Sequence, residues 1–106
     1  MTDISRLRHE LIGRVLGNPG TAPKELRQKA FDKTGLDDPL GTLVEKVAHR
    51  SDAVTDEDIA AARSAGLSED QIFEIVVCAA IGQADRQYTS ACAALSEAAG
   101  ERESRR

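Results

Sequence analysis

The stretch Ser68–Leu95 decides what this chain can become. It reads SEDQIFEIVVCAAIGQADRQYTSACAAL, with no proline and one interior glycine, Gly82. Phe73, Val77, Ala80, Ala84, Tyr88, Ala91 and Leu95 recur at steps of three and four, which places them on one face of a helix. From Ile72 to Ile81 the segment is apolar nearly all round, with Glu74 its only charge. A helix of that kind is buried. The spacing therefore predicts one helix over 68–95, buried near Ile75, Val76 and Ala79, with the rest of the chain packed against it. Gly82 either bends this helix or admits a close neighbour.

The other helices announce themselves by their ends. Ile4, Leu7, Leu11, Val15 and Leu16 form an amphipathic stripe, halted by Gly17-Asn18-Pro19-Gly20. Thr21 or Ala22 is the expected cap of a second helix, with Pro23 in its first turn, an inner face of Leu26, Ala30 and Phe31, and Gly35 at its end. Asp37 or Asp38 is the expected cap of a third, with Pro39 at its start and Leu40, Leu43, Val44, Val47 and Ala48 inside. Thr55 with Asp58, and Ser68 with Gln71, have the spacing of capping boxes. Val54 with Ile59, and Leu67 with Ile72, can staple the same two starts. Gly66 separates helix four from helix five. The expected fold is all-α: a compact bundle of five helices around the long C-terminal one. It forms a single domain over 1–99, with a polar, disordered tail over 100–106.

With 106 residues, the chain suffices for one modest core. Phe31, Phe73 and Tyr88 are its only aromatics, so Leu, Ile, Val and Ala must build that core. One surface is needed for Phe73, Val77, Ala80, Ala84 and Tyr88, and a second for Ile72, Ile75, Val76 and Ala79. Four short neighbours do not obviously cover both, so an oligomer is expected. A net charge of −4 argues against nucleic acid or an anionic membrane as partner. No apolar run reaches the ~20 residues of a membrane span, and MTDISRLRHE lacks the apolar stretch of a signal peptide. Two cysteines suit a reducing compartment. The expectation is a soluble cytoplasmic protein.

The run Ala62-Arg63-Ser64-Ala65-Gly66-Leu67-Ser68-Glu69-Asp70-Gln71-Ile72, followed by the long apolar helix, resembles the carboxymuconolactone decarboxylase / alkylhydroperoxidase D-like superfamily. The resemblance covers roughly residues 39–95 and implies a helical, oligomeric protein. Peroxidase members carry a glutamate, a C-x-x-C pair and a histidine. Laid on this chain without gaps, the cysteine positions fall on Ser51 and Val54, the histidine on Asp58 and the glutamate on Pro39. The chemistry needs two neighbouring thiols and a proton relay, and none of the four residues supplies either. The resemblance thus implies the branch without the C-x-x-C motif.

Four residues remain as candidates for chemistry: Glu74, His49, Asp58 and Cys78. A carboxylate on a mostly buried helix must be paired, protonated or at an interface. Glu74 is expected to pair with Lys46 or Arg50, or else to serve as a general acid or base. Asp58 reads as the N3 acid of a cap. His49 suits a helix C-terminus. Cys78, beside Val77 and one turn from Glu74, reads as a core residue with a raised pKa. It lies fourteen residues from Cys92, about 21 Å along the axis, so the two cannot form a disulfide. Two histidines and two cysteines without ligand spacing imply no metal, and no other cofactor is indicated.

These readings leave three functions. The first is a non-peroxidatic, homo- or hetero-oligomeric binding or scaffold module. The second is a cofactor-free enzyme resembling the lactone decarboxylases, using acid–base groups such as His49, Asp58 or Glu74 on a small acid; His49 and Glu74 converging in one cleft would favour it. The third is a thiol peroxidase acting through Cys78.

Overall fold

The computed structural model describes residues 2–17 and 20–104; Asn18 and Pro19, expected to help stop the first helix, lie outside the described residues. Among the described residues five α-helices follow one another: α1 (Thr2–Gly17), α2 (Lys24–Asp32), α3 (Leu40–His49), α4 (Asp56–Ser64) and α5 (Glu69–Ser104). A short 3-10 turn, Ser51–Ala53, which the sequence did not announce, joins α3 to α4. Most of the described residues are helical, and no strand occurs among them. Among them, no helix is long and apolar enough to cross a membrane.

α5 is the axis of the molecule. Ile75 and Ala79 are fully buried on it, Cys78 and Ile72 nearly so, and Val76 partly. One apolar cluster joins Ile75, Cys78 and Ala79 to Ala22 and Ala30 of the α2 region and to Val44 of α3. A second joins Ile72 to Leu40 and Leu43 of α3 and Ala62 of α4, with Val54, Ile59 and Leu67 packed on it. Both expected staples therefore end in the same cluster. Both capping boxes form: Thr55 with Asp58, and Ser68 with Gln71, whose backbone N–H groups and side chains bond reciprocally. Gly66 takes φ +103 and closes α4, with Leu67 N–H donating to the Ala62 carbonyl. That is the Schellman arrangement.

Several boundaries differ from expectation. α2 is preceded by Pro23, not capped by Thr21 or Ala22, because Thr21 is turned toward Glu74 instead. α2 ends at Lys33, not Gly35: Lys33 adopts φ 56, and the N–H of Thr34 donates to the Lys29 carbonyl. Pro39 stands at the cap position of α3, while the Asp38 carboxylate accepts from the Thr42 N–H and hydroxyl. α5 continues beyond Leu95 through Gly100 to Ser104, into the stretch read as a disordered tail. Alanine and glutamate are good helix formers, and one glycine costs only about 1 kcal/mol in a helix, so nothing there stops the helix.

Lys33 offers a direct test of the α2 terminus. A non-glycine residue in the left-handed region costs about 1 kcal/mol. Lys33→Gly is expected to stabilise the protein by about 0.5–1 kcal/mol in urea unfolding. Losing the exposed Lys33–Glu45 ion pair offsets little of that.

Gly82 is a point of close approach. A Cβ there would lie 2.0 Å from the Phe31 carbonyl oxygen, so α2 and α5 touch backbone to backbone. The opposite side of α5 is covered only in part, by α1. Phe73, on the face for which a further surface was expected, is 68% exposed, and Leu95 is 71% exposed. Of the α1 stripe, Ile4, Leu7 and Leu11 are exposed; only Val15 and Leu16 pack on the core.

Candidate functional site

The sharpest polar constellation lies where α5 meets the connection between α1 and α2. Glu74 reaches neither Lys46 nor Arg50. Its carboxylate accepts hydrogen bonds from the Thr21 N–H (3.1 Å), the Thr21 hydroxyl (2.7 Å) and the Ala22 N–H (2.7 Å). One turn earlier, Gln71 donates to the Thr21 carbonyl at 2.9 Å. Gly20 makes the approach possible, since a Cβ there would fall 2.1 Å from Glu74 Oε1. Burial alone would raise the Glu74 pKa, but the bonds from Thr21 and Ala22, with Arg27 nearby, outweigh it and hold the carboxyl below its ordinary value.

Beside this clip is a cleft of about 150 Å³, lined by Arg14, Arg27, Phe73, Glu74 and Cys78 among others. Arg27 is buried and donates to the Val15 carbonyl at 3.1 Å, holding the end of α1 to α2. Cys78 lies with its sulfur 3.8 Å from the same carbonyl. Burial pushes its thiol up to about 11; Glu74 adds to the rise and Arg27 opposes it. A thiol so placed is protonated at neutral pH and is a poor nucleophile. Cys78 is expected to resist iodoacetamide at pH 8 in the folded protein and to react once the chain is denatured. Peroxide consumption with a dithiol reductant should stay at the no-protein rate, and Cys78→Ser should not change it.

The other candidates are elsewhere. Asp58 binds Lys46 Nζ at 2.8 Å and accepts from the Thr55 N–H at 2.9 Å. Lys46 first, then Thr55, lowers its pKa. It completes the α4 cap and ties that cap to α3. His49 stands on the surface against Lys33 and 3.8 Å from Glu45. It lines a shallow cleft with Thr42 and Lys46, whereas Glu74 lines a different one. The structure does not bring His49 and Glu74 together. Ser51 and Val54 share a third groove, of about 500 Å³, with Val47, Ile59, Val76 and Ala80. No group of three metal-ligating side chains occurs among the described residues.

Sequence reasoning missed Thr21 and Arg27. The cue for Arg27 was its place between Leu26 and Ala30 on the inner edge of α2. Thr21 carried no cue, because its partner lies 53 residues away. A second unannounced tie joins α1 to α5: Arg8 pairs with Asp85 and lies 5.2 Å from the centre of the Tyr88 ring. No protein-family model, curated protein or solved structure matches this chain.

Proposed function

We propose that this protein is a non-peroxidatic, alkylhydroperoxidase D-like helical module that works by association, as an oligomeric binding or scaffold unit. One observation carries the reading. Glu74, Asp58 and His49 are each engaged by neighbouring groups and Cys78 is buried, while Ile4, Leu7, Leu11, Phe73 and Leu95 are left exposed. Large apolar side chains grouped on neighbouring helices mark an interaction surface. An acid–base enzyme would need two of the polar candidates in one cleft, and the His49 and Glu74 clefts are separate.

Sedimentation at micromolar concentration tests the reading. The expected mass is a multiple of 11.4 kDa. Phe73→Ala should shift that mass toward the single chain while changing the stability of the chain itself by no more than about 0.5 kcal/mol, as for an exposed site. A natural protein that sediments as a single chain would overturn the proposal.

A further inference from the structure

The apolar stripe of α5 that faces away from α2, covered by α1 only where Arg8 lies over the Tyr88 ring, has the same spacing from either end. With Ala84 as the centre, Phe73 and Leu95 stand eleven residues to either side, Val77 and Ala91 seven, and Ala80 and Tyr88 four. Eleven residues make just over three whole turns, at about 3.6 residues per turn, so Phe73, Ala84 and Leu95 fall close to one line down the helix. Phe73 and Leu95 are the most exposed large apolar side chains, and Ala80 and Ala84 are exposed between them.

Resting on the association reading above, we propose that the occupant of this face is a second copy of the chain. The two α5 helices pair antiparallel about a twofold axis at Ala84. A twofold contact is self-complementary: each residue before the axis meets its counterpart after it. Phe73 then meets the partner's Leu95, and Ala80 meets the partner's Tyr88, small against large. Ala84 meets its own copy, where a small side chain lets the axes approach closely.

Charge does not oppose the pairing. Among positions equidistant from Ala84 between Glu69 and Ala99, no like charges are opposed; Glu74 faces an alanine, and Asp85 faces Gln83. The relief of the surface agrees with it. Ala84 is shared by two apolar grooves, one walled by Ile4 and Leu11 of α1, the other by Val47 of α3. A helix seated on Ala84 therefore has apolar shoulders on both sides.

Two measurements test the pairing. Ala84→Glu places a carboxylate on the axis and is expected to give a single chain by sedimentation with helical circular dichroism intact, whereas Ala60→Glu on exposed α4 leaves the assembly unchanged. Nitroxide labels at Asp70→Cys, in a Cys92→Ser chain, are expected about 40 Å apart between copies, twenty-eight residues at 1.5 Å each. Labels at Gln87→Cys should lie within about 20 Å, from the same helical rise. These distances decide the pairing whether or not Ala84→Glu folds. An assembly that survives Ala84→Glu, a trimer, or Asp70 labels within about 20 Å of each other, as parallel helices would place them, overturns this interface and leaves the association reading standing. A natural protein that sediments as a single chain overturns both.

Discussion

Gly82→Ala should destabilise the protein by about 2 kcal/mol, although alanine is the better helix former. The intrinsic preference for alanine favours the substitution by about 1 kcal/mol. Against it stands a Cβ 2.0 Å from the carbonyl oxygen of Phe31 and 2.9 Å from its Cα. These are backbone atoms, so no side-chain rotation relieves the contact; α2 must move off α5. Arg86 donates to that same carbonyl at 2.6 Å and would lose its geometry as α2 moved. Overpacking of this kind costs about 1–3 kcal/mol and sometimes more, which exceeds the helix gain. In thermal unfolding the loss would appear as a fall of roughly 10 °C for a domain of this size. Gly100→Ala is the matched control. Nothing lies within 4 Å of its Cβ position, so it should stabilise by about 0.5–1 kcal/mol. Similar effects from both substitutions would show that α2 does not pack on Gly82.

Glu74→Ala is the second large loss, about 2–3 kcal/mol. Removing the carboxylate strips an acceptor from two backbone N–H groups and a hydroxyl. Ala22, one of those donors, is buried, so its N–H would lose its acceptor inside the fold. An unsatisfied buried donor costs about 1–3 kcal/mol, and hydrogen bonds to charged groups are the stronger kind. Glu74→Gln keeps one acceptor oxygen and should lose less. The pH dependence has a definite sign. The folded pKa lies below the ordinary 4.5, so the contribution of Glu74 is complete above the unfolded value and is lost as pH falls through the folded one. Stability curves of the natural protein and Glu74→Gln should therefore converge on acidification from pH 6 to pH 3. Curves that stay parallel would show that Glu74 is not ionised in the fold.

What the sequence made legible was local. Thr55 with Asp58 and Ser68 with Gln71 are three residues apart, and both boxes form as read. The helical period of α5 and the buried Ile75 and Ala79 were legible for the same reason. Lys33 was not: a left-handed lysine at a helix end is set by where the chain must go next, and glycine two residues later looked the better stop. The burial of Phe73 was not legible, because periodicity reports that a face is apolar, not whether this chain or another covers it. Glu74 was read correctly as a carboxylate needing partners, but the sequence offered charged candidates on α3. The true partners are two backbone N–H groups and a hydroxyl, which no side-chain inventory distinguishes from any others.

The placement of α5 has a consequence for how the molecule comes into being. Every helix it packs against precedes it in the chain, and α2, its principal neighbour, lies some fifty residues upstream. A ribosome delivers the chain from the N-terminus, at about 5–20 residues per second. Until Ile72, Ile75, Cys78 and Ala79 have emerged, Ala30, Leu43 and Val44 lack the side of their clusters that α5 supplies. For seconds the nascent protein is a string of short amphipathic segments, each too short to be stable alone. Folding then waits on one late event, the docking of α5 into the trough that α2 and α3 leave open. Chains halted within the first turns of α5 should be bound by chaperones, whereas chains released past Gly82 should not.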